Sequence, residues 1–177
     1  MQITPLKIQG AALVEIERLE DERGYFARSF CRQEFKDAGL DFDVVQSNLS
    51  HNAAKGTLRG LHYQDAPKPD PKLVSCIRGA IFDVVVDLRK GSQTYCQWVG
   101  VQLTADNAKA LFVPPGCAHG FITLCDDALV NYLMGEVYVA ALARGVRWND
   151  PAFAIDWPEN PVVISERDAA YPDFQGA

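Results

Sequence analysis

Three histidines occur in the 177-residue chain, few enough to weigh singly as acid–base candidates. His62 lies in Gly56-Thr-Leu-Arg-Gly-Leu-His-Tyr-Gln64, a strand-like segment dense in polar groups. Imidazole titrates closer to neutral pH than any other side chain, so it can accept a proton under physiological conditions. The segment alone fits a hydrogen-bonded structural histidine equally well. Arg59, on the same segment, offers a planar fork suited to phosphate oxygens and suggests an anionic substrate held over the base. Strict strand alternation places Arg59 and His62 on opposite faces. Their cooperation therefore requires a bulge at Gly60, a residue type suited to one. His119, in Val113-Pro-Pro-Gly-Cys-Ala-His-Gly-Phe121, follows a Pro-Gly turn that aims the next strand, and His51 reads as an exposed loop residue. Arg23, in Asp21-Glu-Arg-Gly-Tyr-Phe26, and Lys72, just past the proline loop Asp65 to Pro71, are further basic residues among strand-like segments.

The elements that must position these groups are short. Segments rich in β-branched and aromatic residues run from Phe42 to Ser50, Thr57 to Gln64, Leu73 to Arg78, Ala80 to Leu88, Tyr95 to Leu103, Ala110 to Pro114, Gly120 to Leu124 and Ala128 to Tyr138, an all-β pattern. Within Ile81 to Leu88, Phe82, Val84, Val86 and Leu88 share one face, while Asp83 and Asp87 fall on the other with Ile81 and Val85. One face is expected to pack and the other to be free for chemistry. Helix signals are confined to Arg32 to Gly39, ended by a capping glycine, and to weaker stretches after Tyr138. Many short strands with little helix predict a sandwich or jelly roll.

Composition narrows the class. Hydrophobic residues at 48% and charged residues at 23% suit a soluble globular chain, and the length fits one domain over residues 1–177 that buries about two-thirds of its unfolded surface. No apolar run approaches a membrane span, and the N-terminus lacks the pattern of a signal peptide, so a cytoplasmic protein is expected. The net charge of -6 argues against nucleic acid and anionic membranes as partners. Five scattered cysteines, never spaced as C-x-x-C, fit neither a disulfide framework nor a zinc site, and most are expected to be small buried hydrophobes.

The spacing Pro114-x-Gly116-x-x-His119 resembles the second cupin motif, whose histidine is a metal ligand in metal-binding members. The first cupin motif needs a His-x-His pair, and here Tyr63 and Gln64 follow His62. A metal site is therefore not expected, because a catalytic metal takes about three protein ligands. The chain as a whole resembles the dTDP-4-dehydrorhamnose 3,5-epimerase family of metal-free cupins. The matching pieces are Asp21 to Phe26, Gln46-Ser-Asn48, Arg59 to Gln64, Lys72-Leu-Val74, Phe82 to Arg89, Pro115 to Phe121, Tyr132, Trp148 to Pro151 and Ser165-Glu-Arg-Asp168.

The resemblance implies an all-β, cupin-type jelly roll with a few short peripheral helices, no cofactor, a nucleotide-sugar substrate and a homodimer with swapped edge strands. It implies His62 as general base, Asp168 as the carboxylate that orients it, Tyr132 as the acid on the opposite face, and Lys72 at the enolate oxygen. Arg23, Gln46, Asn48 and Arg59 fall at positions that hold the nucleotide and its diphosphate, Phe26 and Tyr138 resemble the residues flanking the base, and His119 lines the pocket. The chemistry is loss of a hydrogen next to the C4 ketone and its return from the other face, which needs a base, a cation at the oxyanion and an acid. Arg28 stands where many members carry Glu, and the loop Leu133-Met-Gly-Glu136 also departs from the usual form. Both are candidates to touch substrate, which leaves open a 3-epimerase alone or a CDP- or GDP-linked sugar. A metal-dependent cupin would need the missing pair, and a sugar-binding cupin without chemistry would be expected to lack His62, Tyr132 or Asp168.

Overall fold

The computed structural model describes residues 1–176, and strands dominate it. In chain order they are β1 (Gln2–Pro5), β2 (Ala12–Glu15), β3 (Arg18–Asp21), β4 (Gly24–Ala27), β5 (Gln46–Asn52), β6 (Thr57–Gln64) and β7 (Lys72–Arg78). There follow β8 (Ala80–Asp87), β9 (Trp98–Thr104), β10 (Lys109–Val113), β11 (Cys117–Thr123), β12 (Ala128–Met134), β13 (Ala143–Gly145) and β14 (Val163–Ile164). One sheet has the order β1-β2-β10-β7-β12-β5, and the other β13-β6-β11-β8-β9 with β14 parallel to β6. β3 and β4 form a separate hairpin. Among the described residues, helix is limited to α1 (Arg32–Asp37), α2 (Glu166–Ala169) and one 3₁₀ turn (Ala140–Leu142). The architecture is the expected all-β jelly roll of the cupin type, and among the described residues no helix is long and apolar enough to cross a membrane.

Three apolar layers hold the sheets in place. Between them, Val74, Leu111 and Val130 from one sheet meet Ile81, Val85 and Phe121 from the other, all fully buried. Side chains of this size gain about 1.5–3 kcal/mol each on leaving water. Outside the first sheet, α1 lays Phe35 into a ring cluster with Phe30, Phe42 and Phe112, with centroids 5.1 to 5.8 Å apart. Outside the second sheet, Phe82, Val84, Val86 and Leu88 pack under Val146, Phe153 and Trp157. The alternation read along β8 is thus real, but both faces are buried, and Asp83 and Asp87 are completely enclosed rather than open for chemistry.

Several boundaries differ from expectation for identifiable reasons. Phe42 is not in a strand, because its ring serves the aromatic cluster, so β5 begins at Gln46. His51 therefore lies in edge strand β5, not in a loop, with its ring 3.1 Å from Asp127. Tyr95 to Gln97 turn back to the end of β8 before β9 starts, with Cys96 in the left-handed region at φ 61°. β12 stops at Met134, since Gly135 leaves the sheet and donates its N–H to the Pro71 carbonyl. Two cysteines, Cys76 and Cys117, are buried, and the other three are only partly covered. The strands β1 to β4, β13 and β14 were not marked by the sequence pattern.

Asp87 anchors the turn that delivers β11. Its carboxylate accepts from Arg89 Nε (2.8 Å), Ser92 Oγ (2.6 Å) and Thr94 Oγ1 (2.7 Å). Arg89 in turn packs on Gly116, where a Cβ would lie 2.8 Å from Arg89 Cγ, and donates to the Gln9 carbonyl. Burial favours the neutral acid, but these donors outweigh it and hold Asp87 well below the ordinary carboxylate range. A depressed folded-state value contributes stability above the ordinary range that is lost as pH falls. Asp87→Asn is expected to lose about 3 kcal/mol at neutral pH. The difference from wild type should shrink below about pH 4, as read by urea unfolding at several pH values.

Candidate active site

β6 and β11 are not in simple register. His119 lies opposite His62, whereas Phe121 lies opposite Arg59, so Gly120 alone faces both Gly60 and Leu61. This is the bulge that the Arg59 and His62 pairing demands, and it puts both side chains on the inner face with Phe121. Gly60 has φ 134°, a conformation L side chains rarely adopt, and a Cβ there would lie 2.6 Å from Gly120 Cα. The bulge also frees the Gly60 N–H from the ladder, and it donates to Asp168 Oδ2 at 3.1 Å.

Asp168 comes from α2, whose N-cap Ser165 accepts the Asp168 N–H at 3.1 Å. Its other oxygen, Oδ1, lies 2.7 Å from His62 Nε2. Burial favours the neutral acid, yet the bond from His62, its charge, the Gly60 N–H and Arg167 together keep the carboxyl below its ordinary value. A carboxylate can only accept, so it selects the Nε2–H tautomer and leaves the Nδ1 lone pair unprotonated.

The inner face of the first sheet supplies the opposite wall. Register sets Tyr132 across from Asn48 on one side and Val74 on the other, with Lys72 and Gln46 on the same face beside Met134. A cavity of about 710 Å³ is lined by Asn48, Arg59, His62, Lys72, His119, Tyr132 and Asp168, with Arg167 at its rim. Lys72 is 5% exposed and pairs with Asp70 at 3.1 Å. The Tyr132 ring meets His119 edge-on, with centroids 6.0 Å apart, and His119 Nε2 lies 2.7 Å from Asp83 Oδ1. Burial, reinforced by the Asp83 carboxylate and opposed by Arg59, raises the Tyr132 phenol well above its ordinary value. It stays protonated at neutral pH. Asp83 is itself pushed upward by burial against the pull of His119 and Lys72. Arg59 is steadied by Nε donating to Asn52 Oδ1 at 2.7 Å.

Five expected residues lie outside this cavity. Gln46 turns its Oε1 to the Tyr138 N–H at 2.7 Å, and Tyr138, largely exposed, borders a smaller neighbouring cavity that shares His62. Arg23 and Phe26 sit on the outlying β3–β4 hairpin, Arg23 paired with Asp21 and Phe26 74% exposed. Arg28 is drawn to α1 by Glu34 at 2.8 Å. Sequence reasoning placed Asp83 on the face left for chemistry without giving it a role in the site, and it missed Arg167, whose guanidinium lies 3.3 Å from His62 Nε2. An acid inside a β-branched run was the available signal for Asp83, and adjacence to Asp168 the signal for Arg167. Among the described residues, no group of three or more His, Cys, Asp or Glu side chains is arranged to hold a metal ion.

A family model for dTDP-4-dehydrorhamnose 3,5-epimerase matches residues 5–176. The dTDP-4-dehydrorhamnose 3,5-epimerase of Methanothermobacter thermautotrophicus is 47% identical over 91% of this chain and 88% of its own length. A dTDP-4-dehydrorhamnose 3-epimerase of Streptomyces niveus is 40% identical over 95% of this chain and 81% of its own. The crystal structure of the Bacillus anthracis 3,5-epimerase with TDP and PPi bound superposes with a TM-score of 0.94 at 41% identity, covering 98% and 99% of the two chains. With this match extending over nearly every element that builds the cavity, the chain belongs to the dTDP-4-dehydrorhamnose 3,5-epimerase family.

Proposed function

We propose that the chain inverts C3 and C5 of a dTDP-linked 4-keto-6-deoxyhexose, using His62 and Tyr132 as base and acid. The observation that carries this reading is that the two side chains enter one cavity from opposite sheets, so a sugar ring between them presents one face to each. His62 Nδ1 takes the hydrogen next to the C4 ketone, and the Asp168 carboxylate stabilises the imidazolium that results. The electron pair moves onto the C4 oxygen, where the Lys72 ammonium offsets the developing charge. Tyr132 then returns a proton to the other face of the carbon. The C4 ketone acidifies both neighbours, so one base and one acid serve both centres if the ring turns while the diphosphate stays fixed. Arg59 and Asn48 hold that diphosphate and nucleotide. The TDP found in the Bacillus anthracis relative supports a dTDP sugar over a CDP or GDP one.

The chain works as a homodimer in this reading. The β3–β4 hairpin exposes Leu19, Tyr25 and Phe26 beside Arg23, a surface suited to reaching a second copy rather than its own cavity. Free cysteines throughout suit the reducing cytoplasm.

Incubation with dTDP-, CDP- and GDP-4-keto-6-deoxy sugars in deuterated water tests the whole reading. Label is expected at C3 and C5 of the dTDP sugar; label confined to C3 makes the chain a 3-epimerase, as in the Streptomyces niveus relative. His62→Asn should fall below about a tenth of the wild-type rate while nucleotide affinity persists. Retention of more activity removes His62 as the base. Tyr132→Phe should keep hydrogen exchange but lose most inversion, and full inversion by that variant takes the tyrosine out of the mechanism. Because the His-x-His pair is missing, exhaustive chelation should leave the rate unchanged. Loss of activity restored by zinc, iron or manganese contradicts that.

A further inference from the structure

The segment that carries Asp168 is only one helical turn long, so its position has to be set from outside. Upstream, β14 pairs with the start of β6, Val163 opposite Thr57 and Ile164 opposite Leu58. Downstream, the chain leaves α2 and places Tyr171 against β13. There Gly145 lies opposite His62 in the β13–β6 register. A Cβ on Gly145 would overlap the Cζ, Cε2 and hydroxyl of Tyr171, so the ring occupies the space that the missing side chain leaves. The same ring meets the His62 imidazole edge-on, with centroids 6.4 Å apart at 70°. Gly145 is not in the left-handed region, so space for the ring, and not backbone freedom, is what its lack of a side chain provides.

We propose that Tyr171 is a positioning residue for epimerisation: lodged in the Gly145 slot, its ring holds the Asp168-bearing turn against the strand that carries His62 and so fixes the His62–Asp168 hydrogen bond. The inference rests on His62 being the base. It adds a residue that acts through the pair. The contact with His62 belongs to the ring, and of the atoms that fill the Gly145 slot the two ring carbons lie nearest, so the role rests on the ring rather than on a bond from the hydroxyl. The turn is held upstream by two strand pairings and downstream first by this side chain, three residues before Phe174 donates its N–H to Asp150 Oδ2 at 2.6 Å and packs on Phe153. Removing the ring takes away the downstream contact nearest Asp168, leaving Asp173 and Phe174 as the next anchors, and lets the carboxylate drift from Nε2. Displacements of about 1 Å at a catalytic group can cost as much as a hundredfold in rate.

The test is a double-mutant cycle read in kcat and KM separately, with solvent deuterium exchange into a dTDP-4-keto-6-deoxy sugar as the assay. Tyr171→Phe is expected to stay within about twofold of wild type, whereas Tyr171→Ala and Tyr171→Leu lose about tenfold or more in kcat with KM little changed. Gly145→Ala should show a similar loss by pushing the ring out. Combining Gly145→Ala with Tyr171→Ala should then cost no more than Tyr171→Ala alone, because the added methyl has nothing left to displace. Nucleotide affinity and thermal midpoint, measured on each variant, identify any that fail to fold, and Tyr171→Leu replaces Tyr171→Ala in the cycle if the latter does. Unchanged kcat without the ring, losses that add in the double variant, or an effect confined to KM each overturn the proposal. His62→Asn run alongside separates the two readings. Exchange surviving in His62→Asn removes the base itself, while a dead His62→Asn with indifferent Tyr171 variants removes only the role of Tyr171.

Discussion

The bulge at Gly60 is the constraint on which the rest of the site depends. One added residue in β6 turns Arg59 and His62 to the same inner face and at once releases a backbone N–H for Asp168. Without it, the guanidinium and the imidazole would point to opposite sides of the sheet. The close approach of Gly60 to Gly120 across the strands leaves no space for a side chain at either position. A single irregularity in one ladder thus places the imidazole, frees a donor and draws a remote helical turn onto the sheet.

Around that irregularity, the site divides its tasks between the two sheets. The second sheet carries Arg59, His62 and His119, and the first carries Asn48, Lys72 and Tyr132. Basic members are tied to partners inside the fold: Lys72 to Asp70, Arg59 to the Asn52 amide oxygen, and His119 to Asp83. Burying such groups unpaired would cost several kcal/mol apiece. The pairs therefore let a predominantly apolar sandwich hold a polar interior, and they fix the directions in which the side chains point.

Much of this was legible in the residues. Glycine inside a polar strand-like segment marked the bulge, and the segment Thr57 to Gln64 is β6 residue for residue. The family resemblance, not any local pattern, marked Asp168 as the partner of His62, from which 106 positions separate it. What stayed hidden depends on tertiary contact. Phe42 looked like strand because apolar residues satisfy either a ladder or a ring cluster, and only the neighbours Phe35 and Phe112 decide which. Asp83 looked available because alternation reveals a face but not what covers it. Arg23 and Phe26 matched the family pattern, yet no local signal states that their hairpin stands away from its own cavity.

The placement of imidazole and phenol on different sheets makes the apolar filling between them a spacer. Val74, Val85, Leu111 and Phe121 set how far apart the sheets lie, and hence the gap in which, on the proposed mechanism, a pyranose ring fits and turns. Close-packed interiors transmit volume changes instead of absorbing them. A methylene added or removed in that layer, remote from any proton in transit, alters the room for the ring to reorient. On the proposed mechanism, core packing is therefore expected to bear on stereochemical outcome even with every proposed catalytic side chain intact.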